Sequence, residues 1–183
     1  MKNSLIAFFC LLMSACSLTA PMYQPSTANS NALQSINNTK LSASDFTSKN
    51  KETDNLSLRG GSLVSPYDKS YSKYLTKALE EELKLAGVWD KNANVQISGE
   101  LIDNQLDISS FSIGTASITA KFLVTRNNTR VYEKEFTAKH EWPSSFMGAT
   151  AIPAGQINYP VVIQKLFGKL FNDKEFINAV QKS

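Results

Sequence analysis

The sequence predicts an α+β domain: a mostly antiparallel sheet of about four strands with two helices packed on one face, in the order β-α-β-β-β-α. Two observations carry this. Between residues 95 and 142 apolar and polar side chains alternate along three stretches, the period of strands with one covered and one wet face. Between residues 71 and 89 the period changes to three- and four-residue steps, the stripe of an amphipathic helix. The domain is expected over residues 39–183, a length that buries about two thirds of its unfolded surface. A signal peptide and a flexible tether are expected before it.

The start of the chain reads as a secretory signal. Lys2 supplies the positive region, and Leu5 to Met13 form an apolar core too short to span a bilayer, which takes about 20 residues. The core ends in Met13-Ser14-Ala15-Cys16. This resembles the lipobox of bacterial lipoproteins, in which the cysteine takes a diacylglycerol and becomes the new amino terminus. Met13 stands where that box usually has Leu. Residues 1–15 are therefore expected to be removed, leaving Cys16 as the lipidation site. The only other cysteine, Cys10, leaves with the signal, so no disulfide and no cysteine-based metal site is expected. Ser17 in place of Asp resembles the outer-membrane rather than the inner-membrane sorting pattern of enterobacterial lipoproteins.

Residues 16–38 are rich in Ser, Thr, Ala, Asn and Pro without a sustained hydrophobic period. Such a composition predicts a flexible tether with a reach of ~25 Å, with at most a helical turn near Ala32 to Ile36. A first strand is expected over Lys40 to Thr47, with Leu41, Ala43 and Asp45 on one side. Asn55 to Val64 reads as extended chain interrupted by a turn at Gly60-Gly61. Tyr71, Tyr74, Leu75, Ala78, Leu79, Ala86 and Trp89 make the stripe of the first helix, capped by Asp68 or Ser70 and ended by Gly87. Glu80, Glu81, Glu82 and Lys84 form its solvated face.

Val95 to Leu101 and Ala116 to Val124 are the next strands. Asn127-Asn128 is a hairpin turn, because Asn tolerates positive φ. The return strand runs from Val131 to Trp142, with Tyr132, Phe136, Ala138 and Trp142 facing the core. The last helix is expected to open at Pro160 and bury Ile163, Leu166, Phe167 and Leu170. Asn172 with Glu175 reads as a capping box that restarts a short helix.

The helix YSKYLTKALEEELKLAG, the aromatic-ended C-terminal helix and the lipobox together resemble small envelope lipoproteins such as YajG, LptE (of lipopolysaccharide assembly) and PqiC (a transport accessory). The stretches SLRGGSLVSPY and HEWPSSFMGATAIPAGQINYP resemble uncharacterised lipoproteins of Gram-negative bacteria. The likeness implies this fold and an envelope location, an outer-membrane anchor facing the periplasm. It brings no recognisable lipopolysaccharide-binding cluster.

The net charge of +3 includes Lys2, and positive residues are scattered among negative ones, so nucleic acid is not an expected partner. His140 is the only histidine. With Ser144 or Ser145 it could form a nucleophile–base pair, but no G-x-S-x-G elbow is present, and a hydrogen-bonded histidine at the sheet's end is the expectation. A single histidine cannot supply the ligands of catalytic zinc. Asp103, Asn104 and Asp107 lack the glycine and closing glutamate of a calcium loop. No metal and no cofactor are expected.

Ser144 to Tyr159 is a charge-free linker, longer than the usual connection. Phe146, Met147 and Ile152 in it either close one end of the core or form an apolar surface for a partner or a lipid chain. They are the candidate binding residues. The function expected is that of a monomeric, non-enzymatic, outer-membrane-anchored lipoprotein contributing to envelope assembly or maintenance, with an envelope protein or lipid as partner. The alternatives are a lipid-handling accessory subunit of an envelope transport machine and an envelope hydrolase.

Overall fold

The computed structural model describes residues 17–36 and 39–181. The expected signal peptide and Cys16 lie outside them. An α+β architecture is observed. Four strands, β2 (Leu41–Ser48), β5 (Val95–Asp107), β6 (Ile113–Arg126) and β7 (Thr129–Pro143), form a sheet in the order β2-β5-β6-β7. The β2–β5 pair is parallel and the other two pairs are antiparallel. A second, smaller sheet joins β1 (Ser17–Thr19), β4 (Gly61–Val64) and β3 (Leu56–Leu58), in the order β1-β4-β3.

Helix α2 (Tyr71–Leu85) is the crossover that parallel pairing of β2 with β5 requires. The Ser70 side chain accepts from Lys73 N at its start, and Gly87 ends it at φ +72°. Asp68 takes no part in the cap; its carboxylate pairs with Lys73. Tyr71, Tyr74, Leu75, Ala78 and Leu79 are buried, as the stripe predicts; Leu83 is buried with them, while Ala86 and Trp89 lie half-buried beyond the end of the helix. Glu82, expected in solvent, is buried as well. Burying a carboxylate is costly unless it is hydrogen-bonded, and Glu82 finds its partners in the N-terminal segment.

That segment corrects the expected tether. Residues 17–36 are packed onto the domain: Ala20, Tyr23, Leu33 and Ile36 are buried, and Thr27–Leu33 form α1, starting earlier than the helical turn expected near Ala32. These four apolar side chains are too widely spaced to register as a period, and they are buried only because the folded domain offers surface to cover them. Tyr23 sits edge-on to Tyr74 and Phe167. Backbone oxygens of Thr19, Pro21 and Gln24 accept from Gln156, Tyr74 and Gln164 respectively.

Both expected turns are two-residue hairpin loops, the one expected at Gly60-Gly61 lying one residue earlier, with Gly61 the first residue of β4. Arg59 and Gly60 between β3 and β4, and Asn127 and Asn128 between β6 and β7, all have positive φ, the twist that matches a right-handed strand pair. In β2 a register shift between Ala43 and Phe46 turns Asp45 outward and brings Phe46 inward, correcting the expected face. Phe46 lies directly over Gly99, where a Cβ would come within 2.5 Å of its ring. A second shift near Ile102 carries β5 on to Asp107 with Asn104 and Leu106 facing the core.

The expected linker over 144–159 and the helix start at Pro160 are also corrected. Helix α3 runs over Gly148–Phe171 with Pro153 and Pro160 inside it. Each proline removes a backbone donor and disfavours a helix interior by up to ~3 kcal/mol. Packing overrides that cost, because Ala151, Gly155, Tyr159, Val162, Ile163, Leu166, Phe167 and Leu170 form one continuous buried stripe. Helix α4 (Lys174–Gln181) follows. Asp173, not Asn172, caps it, its carboxylate accepting from Phe176 N at 2.9 Å, while Asn172 ends α3. Helices α2 and α3 lie on one sheet face and meet through Tyr71 and Tyr159, with ring centroids 5.1 Å apart.

Candidate functional site

Three connections converge at one end of the domain. They are the Arg59–Gly60 turn, the β5–β6 loop over residues 108–112, and the residues between β7 and α3. Arg59 ties them together. Its Nε and Nη2 donate to Ile108 O at 2.8 and 2.6 Å, and Nη2 also reaches Ser145 O at 3.3 Å. Nη1 donates to Phe146 O. The guanidinium lies 5.4 Å from the centroid of the Phe146 ring. Ser144 N donates to Ser112 O at 2.8 Å, closing the two loops on each other.

The outcome is an apolar tip. Phe111 and Phe146 stack with centroids 4.9 Å apart and planes 15° apart, yet they are 77% and 60% exposed. Met147, 66% exposed, and Ile113 stand beside them. Stacked rings that remain in water bury little against the core, and the Arg59 clamp beneath joins the two loops that carry them. Two of the candidate binding residues, Phe146 and Met147, are therefore on this surface. Ile152 is not: it is half-buried, packed against the core one turn into α3. Phe111, Ile113 and Arg59 were not legible as site residues. A usable signal existed, since Ser-Ser-Phe occurs twice, at 109–111 and 144–146.

The serine–histidine pair does not form. His140 Nε2 is 3.1 Å from Asn158 Oδ1 and its Nδ1 is 3.0 Å from Lys165 Nζ. Ser145 Oγ accepts from Met147 N. Ser144 Oγ is buried without a hydrogen-bond partner. The acidic cluster is likewise committed elsewhere: Asn104 is buried between Thr53 O and the Tyr159 hydroxyl, Asp103 holds Gln105, and Asp107 holds Ser109. Hydrogen bonds from the Ser109 hydroxyl and backbone keep the Asp107 carboxyl below its usual range. Among the described residues no three His, Cys, Asp or Glu side chains gather as metal ligands, and no helix is long and apolar enough to cross a membrane.

No protein-family model matches this chain, and no curated protein matches it. Solved structures do. Protein XCC0632 from Xanthomonas campestris, of family DUF330, is 13% identical with a TM-score of 0.57, over 85% of this chain and 95% of that one. A candidate lipoprotein from Caulobacter crescentus CB15 is 12% identical with a TM-score of 0.47, over 84% and 97%. A minor lipoprotein from Acinetobacter baumannii is 16% identical with a TM-score of 0.44, over 79% and 96%. At these identities the likeness concerns architecture: the chain shares the α+β fold of XCC0632.

Proposed function

We propose that this chain is an envelope lipoprotein whose domain acts by binding rather than by catalysis, through the apolar tip around Phe146 and Met147. The observation that carries the reading is the exposed Phe111–Phe146 stack held by Arg59. Large apolar side chains gathered in water mark an interaction surface. The Met13–Cys16 lipobox supports acylation at Cys16, and Ser17 supports an outer-membrane anchor facing the periplasm. A role without catalysis is supported by His140, held between Asn158 and Lys165 rather than beside a serine. The lipobox and the helix motifs further support the plan of YajG, LptE and PqiC, and with it a part in envelope assembly, maintenance or transport.

Intact-mass analysis and cross-linking test this. The mature chain should begin at Cys16 carrying acyl chains, and Cys16→Ser should abolish both cleavage and membrane association. A photo-reactive residue at position 147 should capture an envelope component in living cells. Capture no greater than at Lys91, which lies at the far end of the domain, would remove the tip from consideration.

A further inference from the structure

We infer that the apolar tip rests on the bilayer into which the lipid of Cys16 inserts, so that its partner is a membrane surface. This rests on the proposed acylation of Cys16. Cys16 directly precedes the first residue of the packed chain. The strand β1 starts at Ser17, and residues 17–36 are packed against the domain. Covalent geometry keeps Cys16 within one Cα step of Ser17, about 3.8 Å. A chain anchored there cannot hold its domain away from the membrane. Whichever end of the fold carries Ser17 must meet the lipid.

That end is the apolar tip. Ser17 is opposite Ser62 in a parallel pair, and both strands run away from the Arg59–Gly60 turn. Adjacent strands are about 4.8 Å apart, so Ser17 lies beside the turn whose arginine clasps Phe146. Composition agrees. The segments 108–120 and 142–164, which supply Phe111, Ile113, Phe146 and Met147, contain no charged residue. The cation at the tip, Arg59, has its donors on backbone carbonyls, and the neighbouring Asp107 carboxylate, held by Ser109, lies within reach of its charge at the edge of the apolar surface. The opposite end of the sheet is polar, with Lys91, Asn92, Asn94, Asn127 and Asn128 gathered where β5, β6 and β7 meet. The domain is thus apolar at the anchored end and hydrophilic at the other, the asymmetry of a body seated at an interface.

The test uses the full chain, processed in a Gram-negative host and reconstituted into vesicles of phosphatidylethanolamine and phosphatidylglycerol. With Cys10 removed and Cys16 acylated, Met147→Cys and Lys91→Cys each offer a single thiol for an environment-sensitive fluorophore. The label at 147 should emit at shorter wavelength and be quenched by lipids spin-labelled near the headgroup, while the label at 91 stays as in water. An acylated chain whose label at 147 matches that at 91 overturns the docking and leaves the anchor standing. A label at 147 exposed in vesicles but shielded in native envelopes also overturns it, assigning the tip to a protein. A free Cys16 thiol in the intact mass overturns the anchor, and the docking falls with it.

Discussion

The Tyr23 hydroxyl donates a 2.5 Å hydrogen bond to the Glu82 carboxylate, joining positions 59 residues apart in the sequence. Asn29 Nδ2 and Ser26 N donate to the same carboxylate. One buried acid on α2 thus holds three residues of the N-terminal segment, and this clasp keeps that segment on the domain.

The clasp should make stability depend on pH. Burial raises the Glu82 pKa above its ordinary value of 4.5, while the hydrogen bonds from Tyr23, Asn29 and Ser26 oppose the shift. A carboxyl with a raised folded pKa contributes its stability fully below the unfolded value and loses it as pH climbs through the folded one. Urea midpoints of the native chain should therefore fall relative to those of Glu82→Gln as pH rises from below 4.5 to 7. A difference between the two that stays constant with pH would contradict a raised pKa at this site.

Deleting the N-terminal segment should be costly. Leu33 and Ile36 alone bury apolar side chains worth about 1.5–3 kcal/mol each, and removal of Tyr23 would also leave Glu82 short of a donor. A chain starting at Thr39 should melt about 10 °C or more below one starting at Ser17. Equal melting temperatures would return this segment to the role of a tether.

Truncating the tip should leave the fold almost untouched. Phe146→Ala combined with Met147→Ala removes side chains that are mostly in water, so the melting transition should move by only a few degrees, roughly 1 kcal/mol or less. By contrast Phe167→Ala empties a fully buried site and should cost about 3–5 kcal/mol. Calorimetry of the two variants side by side decides whether the tip belongs to the surface or to the core.

Gly114 faces Trp142 across β6 and β7, and a Cβ there would lie 2.4 Å from the indole. The ring must move if Gly114 becomes Ala. Overpacking of this kind typically costs about 1–3 kcal/mol, and the Trp142 Nε1, buried without a partner, should gain access to water. Red-shifted tryptophan emission with a lowered melting point is expected; unchanged emission would mean that the ring does not cover Gly114.

Sequence alone determined what depends on near neighbours. Alternation along residues 95–142 gave the antiparallel strands and their covered face, and the stripe from Tyr71 to Trp89 gave α2, which ends at Leu85. Asn127-Asn128 marked one hairpin, and Gly60-Gly61 marked the other to within one residue of its Arg59-Gly60 loop. The lipobox proposed at Met13–Cys16 is likewise a local pattern. Tertiary structure decided the rest. Pro153 and Pro160 argue locally against a helix, yet the buried stripe from Ala151 to Leu170 holds one together across both. Glu82 reads as solvated until the segment around Tyr23 covers it. Phe111 and Phe146, 35 positions apart by their numbering, become one surface only when Arg59 joins their loops. Periodicity reports which side of its own element a residue faces. It is silent about surfaces that exist only after α2, α3 and the sheet have met, and the N-terminal clasp and the apolar tip are both built on such surfaces.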